Sequence, residues 1–383
     1  MTSSDTRPIF VISLKFSPVM KTLSFGFGKP CSAFLHRQVH YLFSSHYAFF
    51  IQETEDRTNL HYVSTSKNTV EMLRDILLFP FLGLFRMARL LKSRNPVIVY
   101  FVNPHPLNLP TIWLVQLLSP GATILNHVHE PNPAHTGKPT LDFYYWIVRQ
   151  FQHRIIRQSD FNIVSSRAAR LLFIAIYPNK EASLRQVPLL YEDLRCTEEL
   201  KRKYLIFVGN LSTTSGFDTF IRFIKFSHAR GNGIRFLVLS KDNVDILRES
   251  LTPGELAQVT VISQPHISDE KFCYHIRESY AVFLFRKKLT QSGIPAMAYM
   301  NGTALLTNLE DSITQGLTGQ YIEGLEPPLD EIEAAFARIV EGYPGLETTC
   351  REAFESTYFL NNWTTHFAWL GDRRAGNGPE SSS

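Results

Sequence analysis

One feature constrains this chain more than any other: an alternation of strand-length apolar runs with longer amphipathic segments, made twice. It appears first over PIFVISL, VIVYFVN, ATILNHV and FNIVSS, and again over YLIFV, IRFLVLS, VTVISQ, YAVFLF and ALLTN. Short apolar runs separated by helix-period segments suit a parallel sheet covered on both faces, because crossover helices hide both sides of each strand. YAFFIQ and RQVPLL are read as further strands of the first series. Between the series lies YEDLRCTEELKRK, charged and irregular, which reads as a linker. At 383 residues the chain exceeds what one core usually organises, so two series mean two domains. The expected fold class is α/β: two Rossmann-like, doubly wound parallel-sheet domains facing a central cleft, with ligands met at the carboxyl ends of the strands. The expected division is 1–198 and 199–360, then a helix over 361–373 crossing back to the first domain, then a disordered tail at 374–383.

Charge and cysteine usage narrow the partners. A formal net charge of +4 is too mild for a dedicated nucleic-acid binder, so no nucleic acid is expected and any anionic partner is read locally. Cys31, Cys196, Cys273 and Cys350 are far apart, with no C-x-x-C pair, so neither a zinc site nor a disulfide framework is expected and a cytoplasmic setting fits best. The start, MTSSDTRPIFVISLKF, carries no secretion-signal pattern. The uncharged run within 76–95 ends at Arg86, short of the roughly 20 apolar residues that a spanning helix needs. The same stretch sets Arg86, Arg89, Lys92 and Arg94 beside Leu84, Phe85, Leu90 and Leu91. Such a basic amphipathic segment suits either peripheral contact of 84–94 with an anionic membrane or a helix buried on one side and solvated on the other.

Four stretches that follow strands can carry chemistry. Gly209-Asn210-Leu211-Ser212-Thr213-Thr214-Ser215-Gly216 is a glycine- and hydroxyl-rich loop ahead of a helix, suited to an anion or, more plainly, a βα turn with Ser215 as N-cap. Arg286, Lys287 and Lys288, then Thr290, Gln291, Ser292 and Gly293 ahead of a helix containing Pro295, form either a phosphate cradle or a solvated charge run. In NHVHEPNPAH, alternation puts His127 and His129 on one side, with Glu130 and His135 following. They suit a base or a metal site, or two hydrogen-bonded structural histidines. YFVNPHPLNLP places Asn103 and His105 at a strand exit stiffened by Pro104 and Pro106, as a cleft lining or a proline-bounded loop.

Taken in order, these residues resemble the retaining GT-B glycosyltransferases of the "group 1" bacterial polysaccharide and lipopolysaccharide type, over most of the chain. HEPNPAH is similar to that family's H-D-P-x-P-H-like signature, and VNPHPLNL to the stretch upstream. YLIFVGNLSTTSGFDTFI is similar to the opening of its second lobe, LTQSGIPAMAYMNGTALLTN to its donor segment, and GLTGQYI to the glycine turn that follows. The resemblance implies a sugar transferase acting with retention. Its second domain would hold a nucleotide diphosphate sugar as co-substrate, through Gly209, Asn210, Ser215, Arg286, Lys287, Thr290, Gln291, Ser292 and Gly293. The first domain would take a glycan or lipid-linked glycan acceptor beside Asn103, His105, His127 and Glu130, with His129 at the reacting sugar and no cofactor or metal required.

The family pattern is not matched everywhere. Asn210 and Ser215 stand where the family has Arg and Lys, and Leu289 and Met297 where it has two glutamates. A diphosphate leaving group develops negative charge, so Arg286 or Lys287 is expected to supply what those positions do not. The same departures suit a degenerate GT-B protein that binds a glycan, a nucleotide or a partner without transfer. A metal-dependent hydrolase built on His127, His129 and His135 is a third possibility.

Overall fold

A computed structural model describes residues 7–15, 18–49, 59–64, 69–78, 83–131, 139–212, 215–264, 267–286, 292–324, 326–343 and 345–372. The expected tail at 374–383, with His135, Lys287, Lys288, Leu289, Thr290 and Gln291, lies outside the described residues. The chain divides into two units, one running to Tyr191 and resuming at Leu360, the other spanning Glu192–Phe359. That division falls ahead of the 198/199 boundary drawn from the linker's charge.

In the first unit the strands are β1 (Ile9–Ser13), β2 (Val39–Ser44), β3 (Leu60–Ser64), β4 (Ile98–Phe101), β5 (Thr123–His127), β6 (Phe161–Val164) and β7 (Leu184–Gln186). They form one sheet in the order β3-β2-β1-β4-β5-β6-β7, every pairing parallel. Its helices are α1 (Pro18–Leu35), α2 (Thr69–Leu78), α3 (Leu84–Arg94), α4 (Asn108–Leu118), α5 (Pro139–Gln158) and α6 (Arg167–Ile176). β1, β2 and β4 are buried along their whole length, as strands sandwiched between helices must be. Phe10, Ile12, Val99 and Phe101 join Met87 and Leu91 of α3 and Ile112 and Val115 of α4 in one core.

The strand expected at YAFFIQ is absent from the described part of that stretch. β2 lies earlier, and Ser45–Phe49 is a 3-10 turn. β2 follows α1, a helix interrupted in sequence by Pro30 and two glycines, so the apolar register before it is hard to place.

The second unit holds β8 (Tyr204–Val208), α7 (Phe217–Arg230), β9 (Arg235–Ser240), α8 (Asp245–Ser250), α9 (Pro253–Leu256), β10 (Val259–Ser263), α10 (Asp269–Arg277) and β11 (Ser279–Leu284). It continues with α11 (Ile294–Met300), β12 (Ala304–Thr307), β13 (Gly319–Tyr321), α12 (Leu329–Glu341) and α13 (Gly345–Ala353). The sheet order is β10-β9-β8-β11-β12-β13, again wholly parallel. Phe207, Phe217, Phe220, Phe236 and Phe283 pack edge or tilted against one another beneath it, with centroids 5.1–5.6 Å apart.

After Phe359 the chain returns to the first unit as α14 (Trp363–Phe367) and α15 (Trp369–Asp372). Trp363 is fully buried and meets Phe34 at 5.6 Å, Phe367 meets Phe27 at 5.1 Å, and Trp369 meets Phe161 at 4.6 Å. Large aromatic surfaces withdrawn from water anchor this short segment.

Candidate functional site

A doubly wound sheet has one place where successive crossovers diverge, and the strand ends there open a crevice for a ligand. In the first unit it lies between β1 and β4, in the second between β8 and β11.

At the second switch point β8 runs out into Gly209 and β11 into Phe285 and Arg286. Gly209 has φ +125°, and a Cβ there would sit 3.3 Å from Arg286 Nη2, so the guanidinium lies against the glycine's bare face. Gly216 has φ +76°, and a Cβ there would stand 2.0 Å from the Phe285 carbonyl oxygen. Only glycine allows the β8 loop to close onto the end of β11.

Arg286 is held by its backbone. Its N–H donates to Asn308 Oδ1 at 3.0 Å, while Asn308 Nδ2 donates to the carbonyls of Arg286 at 3.2 Å and Gly324 at 3.0 Å. The side chain has no carboxylate partner among the described residues, and its Nε is buried without a hydrogen bond. Burial lowers its pKa, the mark of a cation removed from water without compensation.

The loop positions meet different fates. Ser215 is buried, with its hydroxyl within hydrogen-bond distance of the Asn210 carbonyl at 2.5 Å and the Ser212 carbonyl at 2.6 Å. It therefore staples the loop, and the residue capping α7 is Gly216. Leu211 N–H donates to Asp242 Oδ2 at 2.7 Å, so a carboxylate after β9 braces the loop from the other side. Asn210 is exposed at the loop's outer turn. Ser292 accepts from Ile294 N–H at 3.2 Å at the start of α11, beside half-buried Gly293. α11 is only seven residues long, and Met297 within it is half-buried.

At the first switch point the strand ends are tied together. Asn103 Nδ2 donates to the Lys15 carbonyl at 2.6 Å, and Asn108 Nδ2 to the Asn103 carbonyl at 2.8 Å. Asn103 Oδ1 and Asn108 Oδ1 are buried with no hydrogen bond among the described residues. His105 is fully buried and its Nδ1 accepts from Leu107 N–H at 3.1 Å, so the ring proton sits on Nε2. Burial above all drives its pKa down to about 3, with Asp75 opposing and Lys15 adding to the fall. Burial likewise lowers Lys15 to about 8. Lys15, Asp75, Asp242 and Asn308 were not singled out from sequence. Lys15 and Asn308 each directly follow an apolar strand run, which is the signal that could have found them.

The two histidines after β5 differ. His127 is 4% exposed, hydrogen-bonded through Nδ1 to Tyr100 Oη at 2.6 Å and through Nε2 to Ser165 Oγ at 3.0 Å. Both nitrogens are occupied, and burial holds its pKa well below normal. His129 stacks on it at 4.4 Å and is half-buried. Its Nε2 donates to the Val102 carbonyl at 2.6 Å, which fixes the ring's orientation. Glu130 is exposed, and its carbonyl accepts from Gln152 Nε2 at 3.0 Å. Among the described residues no three His, Cys, Asp or Glu side chains come together as metal ligands. The bonds made by His127 and His129 do not suit a metal-dependent hydrolase.

No protein-family profile matches the chain, and no curated protein sequence matches it. Solved structures do. The pneumococcal O-GlcNAc transferase GtfA, solved with UDP and GlcNAc, is similar at a TM-score of 0.66 and 10% identity, over 97% of this chain and 100% of that one. A glycosyltransferase from Rickettsia africae is similar at 0.67 and 12%, over 98% and 100%. TarM of S. aureus, in complex with UDP and sugar ligands, is similar at 0.59 and 12%, over 76% of this chain, which spans only 58% of TarM. At these identities the likeness shows the fold alone: two Rossmann-like domains in the GT-B arrangement.

Proposed function

We propose that this chain is a glycosyltransferase that moves a sugar from a nucleotide diphosphate donor to a glycan or lipid-linked glycan acceptor, with retention. The observation that carries the reading is Arg286, a desolvated cation without a carboxylate partner among the described residues, laid on Gly209 where the second sheet's crossovers diverge. A diphosphate fits that place because its charge would replace the water Arg286 has lost, and the side-chain-free Gly209 lets phosphate oxygens approach the backbone.

In this reading the anomeric C–O bond to the diphosphate breaks as the acceptor oxygen bonds to the same face of the sugar, and the hydroxyl proton passes to the departing phosphate oxygen. Negative charge grows on the leaving phosphate, and Arg286 stabilises it, taking over from the cations that Asn210 and Ser215 cannot supply. The donor is a co-substrate, and the charge balance is assigned to protein side chains rather than to a metal. His129 would address the reacting sugar, its ring fixed by Val102 and His127. His129→Ala should lower turnover at least a hundredfold with donor binding kept; near-normal turnover would return His129 to a packing role.

The first test is calorimetric titration of UDP, GDP and dTDP, and of their sugars, into the wild type and Arg286→Ala. Selective binding that the variant loses supports the donor site. Equal affinity in both proteins ends it. The anomeric configuration of the product, read by NMR, tests retention.

A second reading has its own observation. Ser215 spends its hydroxyl inside the loop and Asn210 is neutral, so the site has fewer cations than its relatives' pattern calls for. A chain that binds nucleotide selectively yet transfers nothing with any acceptor would be a binding partner rather than a catalyst.

A further inference from the structure

β12 lies between β11 and β13 in the second sheet, and both of its ladders stop at one residue: Thr307 is the last partner of Leu284 on one side and of Tyr321 on the other. Past that point side chains take over from the backbone. Thr307 Oγ1 donates to the Leu284 carbonyl at 2.7 Å and accepts from Leu309 N–H at 3.0 Å. Asn308 reaches further in both directions. Its Oδ1 accepts from Arg286 N–H, and its Nδ2 donates to the Arg286 carbonyl and, beyond β13, to the Gly324 carbonyl. One carboxamide thus binds both backbone groups of Arg286 and holds the exits of three strands together.

The chemistry needs an amide. One N–H and two carbonyls must be met from a single short side chain, which takes an acceptor oxygen beside a nitrogen with two hydrogens. A carboxylate would turn oxygens towards both carbonyls, and a methyl would meet none of the three groups. The Arg286 guanidinium has no carboxylate partner among the described residues, so what places it beside Gly209 is the backbone that Asn308 holds. A cation whose backbone is fixed before its ligand arrives loses less freedom on binding it, and that saving appears as affinity.

We propose that Asn308 is a positioning residue of the donor site: it holds Arg286 where a nucleoside diphosphate meets it, and ties the chain leaving β13 to the same point. This inference rests on the proposed donor site. Asn308 touches no phosphate in it and acts through Arg286 alone, so its effect on affinity must disappear when Arg286 is absent.

The test is a double-mutant cycle read by calorimetric titration of UDP into the wild type, Asn308→Ala, Arg286→Ala and the double variant, with GDP or dTDP in its place if the wild type selects one of those. Asn308→Ala should lower affinity about tenfold when Arg286 is present and by no more than about twofold in Arg286→Ala, because a missing cation cannot be misplaced. Asn232→Ala is the control: Asn232 also spends its amide inside the second unit, on Ser227 and Glu333 near the amino end of β9, and its loss should leave affinity unchanged in both backgrounds. Circular dichroism confirms that each variant is folded, and Asn308→Ser carries the same cycle if Asn308→Ala does not fold. Equal losses in the two backgrounds make Asn308 a support of the fold and overturn the proposal. So does an affinity that Arg286→Ala loses and Asn308→Ala keeps. A wild type that binds no nucleoside diphosphate, or an Arg286→Ala that binds it as well as the wild type, instead overturns the donor site itself, and this inference with it.

Discussion

Arg202 and Arg286 are both drawn into the second unit, and their surroundings differ at every donor. Arg202 gives Nη1 to the Ser279 carbonyl at 2.8 Å and Thr303 Oγ1 at 2.6 Å, and Nη2 to the carbonyls of Asn301 at 3.1 Å and Gly302 at 3.0 Å and to Glu347 at 3.2 Å. The Tyr343 ring lies 5.1 Å beneath it. Arg286 has its backbone clamped, its Nε unsatisfied and a bare glycine beside its guanidinium. The difference teaches how a structural cation is told from one kept for a ligand. Neither burial nor an unsatisfied Nε distinguishes them, since the ion-paired Arg277 and Arg351 also have a buried Nε without a partner; the acceptors and carboxylate on the terminal nitrogens do.

The largest expected effect attacks Arg202. Replacing it with Met takes the donor from the Ser279 carbonyl and from Thr303 Oγ1, leaves the Asn301 and Gly302 carbonyls to Arg277 and Tyr343, and removes one of the two arginines on Glu347, so it should destabilise the second unit by about 3–5 kcal/mol, read by urea denaturation. Gly216→Ala should cost roughly 3 kcal/mol, since φ is positive and the new methyl would meet the Phe285 carbonyl. Arg286→Ala reverses the pattern. Stability should hold or rise slightly while nucleotide diphosphate affinity falls by about 2–3 kcal/mol, roughly 30- to 150-fold, in calorimetry. A destabilised Arg286→Ala with unchanged affinity would erase the distinction between the two arginines.

A further effect belongs to the first unit and is read through pH. His105 has a folded pKa depressed to about 3 against an ordinary 6.5, so between those values the unfolded chain binds a proton that the folded one refuses. Its contribution to stability is complete above pH 6.5 and is lost as pH falls towards 3, at up to about 1.4 kcal/mol per pH unit. His127 is shifted in the same direction and steepens the loss. Denaturation at pH 7 and pH 5 should show the first unit weakening, and His105→Asn should flatten the slope.

Much of the fold was legible in the residues. β1, β4, β5, β6, β8, β9, β11 and β12 lie where continuous apolar runs placed them, because a strand buried on both faces must be apolar along its length, and β10 was found by its β-branched residues although it lies exposed at the sheet edge. β2 was displaced by a competing apolar run, and β13, Gly-Gln-Tyr, has no apolar pattern to detect. Within the candidate site, Gly209 and Arg286 could be picked out because each follows a strand. Ser215 and His127 could not be sorted, since a hydroxyl or an imidazole in sequence does not reveal whether its partner is a ligand or the protein's own backbone.

The sequence by itself determined two parallel-sheet domains, the strand ends that matter and the run without acids over α3, because periodicity and charge order are properties of neighbouring residues. Only tertiary structure decided that both terminal nitrogens of Arg202 meet acceptors while the Arg286 side chain has no carboxylate partner among the described residues, that His127 stacks on His129, and that Arg86, Arg89 and Arg94 share one cavity with β3. Hydrogen bonding and desolvation depend on groups tens to hundreds of residues apart, and only the folded chain brings those groups within reach of one another.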